Sequence, residues 1–535
     1  MTRAAGTGFS HEDRYPFPVS RSPNPPQTAD RLFDSTMTPR KRATVGILFG
    51  IFLAAMDSTI VITALPTIVS EFNHVELYFL PLSIAMIVST ISVSLIGRLS
   101  DQYGRRLFHT LGVLLFTVGS CLCSLAPSME WLVAFRAIQA AGQGALMTLS
   151  YTMIADIYPL EERARMQGSI GGVWGLAALI GPPLGAAITH LAHWRYVFLA
   201  TLPLGFASLA IIRKVWVDPP RRTDAPRPDI PGAVLLALAS ASLLGAFSLV
   251  RHPDVDWHSP WVLALGGAAA VFAVALTIAE RRSHDPFMAV DLFRNRLFWT
   301  GTLCSSLLAA DMFCAFAYMP LFVQGVIGTN VMKAGMVLTP MMLAWVACSA
   351  TGGILLLRVG YRKLAIGGSL LSMLGYALLG RMDTDATWGQ AAFAVAFLGA
   401  GLGFVLTPLL IAAQNSVGKS RLGAATSLTQ FCRSMTGALG IAVAGALMAT
   451  VLTAMLAARP ELKVDPDHVV NPAIRETIPE REKKEMRGII AESLKPVFNF
   501  GLGAAALAFL ASLLLPGGRA RDLRSAEAAR TPGSP

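Results

Sequence analysis

The chain has 535 residues, of which 53% are hydrophobic and only 14% charged, with a mean hydropathy of +0.54. That composition excludes a soluble globular domain and points to an integral membrane protein with many spans. The net charge of +11 does not require a nucleic-acid partner, because a polytopic protein gathers Lys and Arg in its cytoplasmic connections. All six cysteines fall inside apolar runs without metal-type spacing, which reads as packing rather than ligation or disulfide bonding.

Residues 1–43 are polar and Pro-rich and lack the apolar core of a secretory leader; they read as a disordered cytoplasmic tail. Apolar runs long enough to span a bilayer, about 20 residues each, follow near 44–70, 77–97, 108–126, 131–156, 168–190 and 196–213. The segment 214–296 reads as a linker carrying two extra spans near 230–250 and 260–279. The remaining spans lie near 297–325, 334–357, 362–380, 388–415, 422–457 and 496–516. The expected fold is therefore an all-α integral membrane protein of about fourteen helices: a six-helix bundle over 44–213, the inserted pair, and a second bundle over 297–516. A long external loop covers 457–495, in which Glu480 to Leu494 can form a helix, and a short tail covers 517–535.

The charges orient the chain. Alternate connections carry Arg98, Arg105 and Arg106; Arg163 and Arg165; Lys214, Arg221 and Arg222; Arg358, Arg362 and Lys363; and Lys419 and Arg421. The opposite connections hold few cations apart from the long loop, where acids and bases nearly balance. Both termini are expected in the cytoplasm.

The two halves echo each other. Gly97 and Gly104 between spans two and three are matched in spacing by Gly353 and Gly360 between spans ten and eleven, where Arg358, Arg362 and Lys363 accompany them. Gly142-Gln143-Gly144 in span four has a counterpart in Gly401-Leu402-Gly403 in span twelve, and Asp57 and Asp311 lie at similar depth in spans one and nine. A duplicated six-helix unit is the usual architecture of a rocker-type carrier with its site between the halves.

Asp57 lies inside the run Ile47 to Val69. A carboxylate at that depth costs about 2.5–3.5 kcal/mol on insertion scales and is usually retained for function. Desolvation favours its protonated form and a nearby cation the ionised one, so Asp57 suits a proton carrier; the plainer alternative is a neutral acid holding two helices together. Arg136, Gln139 and Gln143 share one face of span four. Arg136 is either a partner that sets the charge of Asp57 or of a substrate, or a static tie to a carbonyl. Arg433, with Gln430 on the same face of span thirteen, presents the same choice. Asp311 reads equally as a second proton site, a packing acid or an attractor of cationic substrates. Met and aromatic residues such as Phe135, Trp174, Met312, Phe316 and Trp345 suit loosely specific apolar binding, though each is more often a packing residue.

Several of these stretches resemble a known family. Gly97 with Asp101, Gly104, Arg105 and Arg106 resembles the loop signature of the major facilitator superfamily. Met56-Asp57-Ser58-Thr59-Ile60-Val61, with Ala64-Leu65-Pro66, resembles the first-span signature of its fourteen-span drug:proton antiporters, and Arg136-Ala137-Ile138-Gln139 the span-four signature. Gly181-Pro182-Pro183-Leu184-Gly185 resembles the antiporter signature of span five, with Ala177 and Ala186 where glycines are customary. Trp194-Arg195 matches the entry to span six, and Gly423 to Ser427 with Phe431 and Arg433 resembles span thirteen. The resemblance covers roughly residues 40–515 and implies the major facilitator fold and export by exchange with protons.

On that reading the coupling and substrate residues are Asp57, Arg136, Gln139, Asp311 and Arg433. Gly97, Asp101, Gly104, Arg105 and Arg106 form a conformational latch, in which Asp101 pairs with an arginine or caps a helix. Gly181, Pro182 and Gly185 form the antiporter element, whose prolines are expected to end one hydrogen-bond ladder and bend span five. No cofactor is implied, the proton gradient being the energy source. The expected partners are a small amphiphilic substrate, protons and membrane lipids around a monomeric unit in the cell membrane, with a periplasmic adaptor as a candidate in a two-membrane host. A lipid or metabolite exporter and a non-transporting sensor on the same scaffold are the alternatives. No phosphate loop or paired-His motif supports an enzyme or direct ATP drive.

Overall fold

A computed structural model describes residues 38–72, 80–218, 230–249, 255, 258–282, 290–329, 331–418, 421–459 and 479–517. Of the tails expected at 1–43 and 517–535, residues 1–37 and 518–535 lie outside the described residues, as do the joint at 219–229 and loop residues 460–478; the last residues of the expected N-terminal tail, from Pro39, instead belong to the first helix. Everything of any length among the described residues is helical.

Helices α1 (Pro39–Phe72), α2 (Leu80–Tyr103), α3 (Arg105–Ser124), α4 (Met129–Ile157), α5 (Leu160–Leu191), α6 (Arg195–Leu199) and α7 (Leu202–Val215) make the first half. Helices α8 (Ile230–Leu249) and α9 (Pro260–Arg282) pack on each other as a hairpin. The second half consists of α10 (Arg296–Phe322), which continues into a π-turn at Val323–Ile327, then α11 (Val331–Met336), α12 (Thr339–Val359), α13 (Tyr361–Leu379), α14 (Trp388–Asn415), α15 (Leu422–Ala457) and α16 (Glu480–Leu513). Eleven helices among the described residues are long and apolar enough to cross a membrane; α4, α8 and α13 stand in the bundle beside them, in keeping with the fourteen-span reading. The helix expected from Glu480 is present and runs without a break into the last span.

Local chemistry sets several boundaries. Asn295 caps α10 by accepting from the backbone N–H groups of Leu297 and Phe298 at 2.9 and 3.4 Å. Thr387 and Gln390 form a reciprocal capping box at the start of α14. Gly104 and Gly360 turn the chain between α2 and α3 and between α12 and α13, with φ of 101° and 87°. A side chain is strained at such angles, so glycine is required at both equivalent turns.

Packing inside the halves follows the same scheme: α1 lies on α5 and α7 as α10 lies on α15 and α16, and α4 lies against α2 and α3 as α14 lies against α12 and α13. The halves meet along two seams, α2 with α15 and α5 with α12. The α8–α9 hairpin lies over the first: Leu236 and Leu276 share one buried cluster with Val93 of α2 and Phe431 of α15.

Span five is a single helix, α5, with Pro182 and Pro183 inside it; each proline lacks the N–H that would complete the hydrogen-bond ladder at that point. The neighbouring helix supports the backbone just before the prolines, where Thr59 of α1 donates its hydroxyl to the Ala177 carbonyl at 3.1 Å. Gly181 is buried against Thr59 so closely that a Cβ would overlap the threonine side chain.

Candidate functional site

Asp57 faces α4 from the middle of α1. The Arg136 Nη1 donates to both its oxygens at 3.0 and 2.8 Å, and Gln139 Nε2 donates to Oδ1 at 2.9 Å. Gln139 in turn accepts from Arg136 at 2.6 Å and donates to Ser120 of α3 at 2.7 Å. The three residues are 2%, 3% and 0% exposed, inside an apolar shell that includes Met56, Ile60, Leu132 and Phe198. One turn further along α4, Gln143 donates to Ser58 and to the Ala54 carbonyl of α1 at 2.7 and 3.0 Å. The i, i+3, i+7 spacing read from the sequence thus lays three polar side chains along one stripe against α1. Arg136 is a partner of Asp57 and not a tie to a backbone carbonyl.

A buried pair of this kind balances a large desolvation cost against Coulombic attraction and hydrogen bonds, and removing one member typically costs about 3–5 kcal/mol. A proton arriving at Asp57 would cancel the attraction and leave the guanidinium as an uncompensated buried cation.

The second cluster sits where the basic ends of the two halves meet. Asp101 ends α2 and accepts from the backbone N–H groups of Gly423 and Ala424, at 3.1 and 2.9 Å, at the start of α15. The orphan donors and the positive pole of that helix favour a carboxylate there. Arg105 pairs with the same Asp101, donates to Ser100 at 2.6 Å, and reaches Asp156 at the end of α4 at 3.0 Å. Both sequence expectations for Asp101, pairing and capping, hold together. Arg106 turns away: its backbone N–H donates to Asp218 at 3.0 Å and its guanidinium to the Arg213 carbonyl. Gly97 lies so close to α15 that a Cβ would overlap Ser427. A parallel tie closes the other seam at the same end, where Gln167 of α5 donates to Gln414 of α14 at 2.9 Å.

Asp311 and Arg433 do not join either cluster. Asp311 is 1% exposed and enters no ion pair among the described residues. Arg433 donates to Gln430 at 2.9 Å and to the Leu406 carbonyl of α14 at 2.6 Å, an arrangement that by itself is structural. Of the apolar residues singled out, Phe135 and Trp174 pack at the edge of the first half's core and Met312, Phe316 and Trp345 at the edge of the second.

Three residues escaped the sequence reading. Asp156 and Asp218 lie at helix ends where acids are commonplace. Glu71, at the far end of α1, accepts from Trp194 Nε1 at 2.6 Å and from Arg195 at 2.8 Å, and Arg195 also donates to the Ala126 carbonyl at 3.1 Å. The Trp194-Arg195 pair was the available signal; its acidic partner lies more than a hundred residues upstream. Burial works against the charge of Glu71. Hydrogen bonds from Arg195 and Trp194, together with the charges of Arg195 and His193, outweigh it and hold the carboxyl below its usual range.

The fold, the paired acid and the capped seam define a transporter of the major facilitator superfamily. Residues 47–441 match the pattern of that family, and the chain belongs to it. It is 32% identical over 501 residues to Multidrug resistance protein 3 of Bacillus subtilis, covering 91% of this chain and 97% of the relative. It is 33% identical over 403 residues to the multidrug transporter protein MdtP of the same organism, covering 75% and 74% of the two chains. The human organic anion transporter MFSD10 superposes with a TM-score of 0.61 at 15% identity, over 89% of this chain and 100% of that one. The proton:xylose symporter XylE superposes with a TM-score of 0.58, also at 15% identity, over 88% and 94%; these two likenesses concern the fold. The chain is a multi-pass membrane transporter of this superfamily and not an enzyme.

Proposed function

We propose that the protein exports amphiphilic or cationic compounds from the cytoplasm in exchange for protons, by alternating access. The observation that carries this reading is the buried Asp57–Arg136–Gln139 set, a protonatable ion pair in apolar surroundings between two helices of one half. On this reading the basic ends are cytoplasmic, in line with the positive-inside tendency, and Asp101 and Gln167 are the contacts that close that side. A proton reaching Asp57 from outside releases Arg136, and the strained cation favours the opposite opening, where the proton leaves and substrate binds. The proton gradient is the energy source and no cofactor takes part. Multidrug relatives at about a third identity support the substrate class.

The test uses inverted membrane vesicles carrying an imposed pH gradient. Adding a lipophilic cation such as ethidium should release protons from vesicles containing wild-type protein, and Asp57→Asn should abolish that release. Full proton-coupled transport by Asp57→Asn would remove Asp57 from the mechanism.

A further inference from the structure

Close contacts align the two halves residue by residue. Gly119 abuts Gln139 as Gly375 abuts Leu398, Gly142 abuts Phe116 as Gly401 abuts Ser372, and Gly181 abuts Thr59 as Gly437 abuts Phe313. In this alignment Asp311 takes the place of Asp57 and Leu398 the place of Gln139. Three residues earlier on α14, Val395 takes the place of Arg136. The second half has kept the acid and replaced both its partners with aliphatic side chains, which are themselves buried.

The surroundings of Asp311 accord with that substitution. Neither carboxylate oxygen has a partner at hydrogen-bonding distance and angle. Ser372 of α13 supplies the hydroxyl that acts on it, and the Ser372 oxygen is likewise buried without a partner. Tyr376, also on α13, spends its hydroxyl on the Asp311 backbone carbonyl at 2.7 Å. The titratable neighbours acting on the carboxyl are Tyr376 and Cys314, and neither supplies a positive charge. On α15, Arg433 is engaged by Gln430 and the Leu406 carbonyl. Helix α14 presents Val395 and Leu398, and α16 contributes apolar residues such as Val497, Phe498 and Ala505 to the same core.

An ionised carboxylate with no cation and only the Ser372 hydroxyl beside it is strongly disfavoured in such a site, whereas a neutral acid is tolerated. We infer that Asp311 is a second proton-binding site, occupied in this conformation and loaded independently of Asp57. The chemistry of the two acids differs. Protonating Asp57 breaks an ion pair and leaves a buried cation, while Asp311 takes up or loses its proton with no counter-charge to move. The site rests on the proposed exchange reading only for the use made of its proton, which is to raise the protons moved per cycle above the one carried by Asp57.

The test is infrared difference spectroscopy of the full-length protein in lipid nanodiscs, titrated between about pH 5 and pH 9. Wild type should show the carbonyl band of a buried protonated carboxyl at neutral pH, shifted in deuterium oxide. The band should persist in Asp57→Asn and vanish in Asp311→Asn. Asp311→Asn replaces a neutral acid by a neutral isostere, so its melting temperature should stay within about 2 °C of wild type. If that variant does not fold, Asp311→Glu should move the band instead of removing it. A wild-type protein without the band, or a band unaffected by both Asp311 variants, overturns the inference. Proton release from inverted vesicles reads the exchange itself: its absence alongside an Asp311-dependent band removes the proposed function and keeps the site, and the reverse pattern removes the site alone.

Discussion

Replacing Gly97 by alanine probes the seam between α2 and α15 with the smallest possible change. A Cβ at this position would overlap Ser427 and would lie 2.9 Å from the Gly423 carbonyl, too close for either helix to stay in place. Overpacking of this kind costs about 1–3 kcal/mol. Because the strain falls on the contact that closes one end of the protein, it should act on the equilibrium between conformations and shift it by about 5- to 150-fold toward opening. Spin labels on cysteines introduced at Tyr103 and Gly418, both exposed at this end, would report the change as a longer distance population in pulsed electron resonance. Adding Ser427→Gly removes the overlapping atoms and should restore part of the short population, the Gly423 carbonyl still standing close. An unchanged distance distribution in Gly97→Ala would refute the argument that this contact sets the closed state.

Other substitutions test the remaining contacts. Arg136→Ala leaves the Asp57 carboxylate buried with only Gln139 as donor and should lower stability by about 3–5 kcal/mol; the double variant with Asp57→Asn should lose less than Arg136→Ala alone in a thermal shift assay. Gly399→Ala places a methyl into the Met341 backbone carbonyl and should prevent accumulation of folded protein, while Gly367→Ala, with nothing within 4 Å, should be neutral or stabilising by up to about 1 kcal/mol. The pH dependence at the outer tie has a definite sign. Glu71 is held below its ordinary value of 4.5, so its contribution to stability is present above that value and is lost as the pH falls through the folded one. Glu71→Gln should flatten the fall in melting temperature on the acid side.

The sequence made much of this legible, since a membrane bundle reveals itself through apolar length, loop charge and costly interior charges. Asp57 and Arg136 stood out because each is expensive alone, and helical spacing placed Arg136 with Gln139. The matching depths of Asp57 and Asp311 were also readable. That Asp311 lacks a cation was not, because it depends on knowing that α14 faces α10 with Val395 and Leu398 where α4 faces α1 with Arg136 and Gln139. Asp101 was recognisable as a cap or an ion-pair partner, but the capped helix begins in the other half, far along the chain. The prolines of α5 were readable as a gap in its hydrogen-bond ladder; the contact of Thr59 with the Ala177 carbonyl and with Gly181 was not, because it joins helices far apart along the chain.

The α8–α9 hairpin has a geometric consequence for the whole assembly. A duplicated bundle has two equivalent lines along which its halves can part, and among the described residues the inserted pair packs against both halves along the α2–α15 line. Any tilt of one half against the other must shear the Leu236–Val93–Phe431 cluster on that side, while the α5–α12 line moves without such a splint. The insertion therefore turns a twofold-symmetric hinge into one with a stiffened side and a free side, and assigns the free side to the helix that carries Gly181 and Pro182.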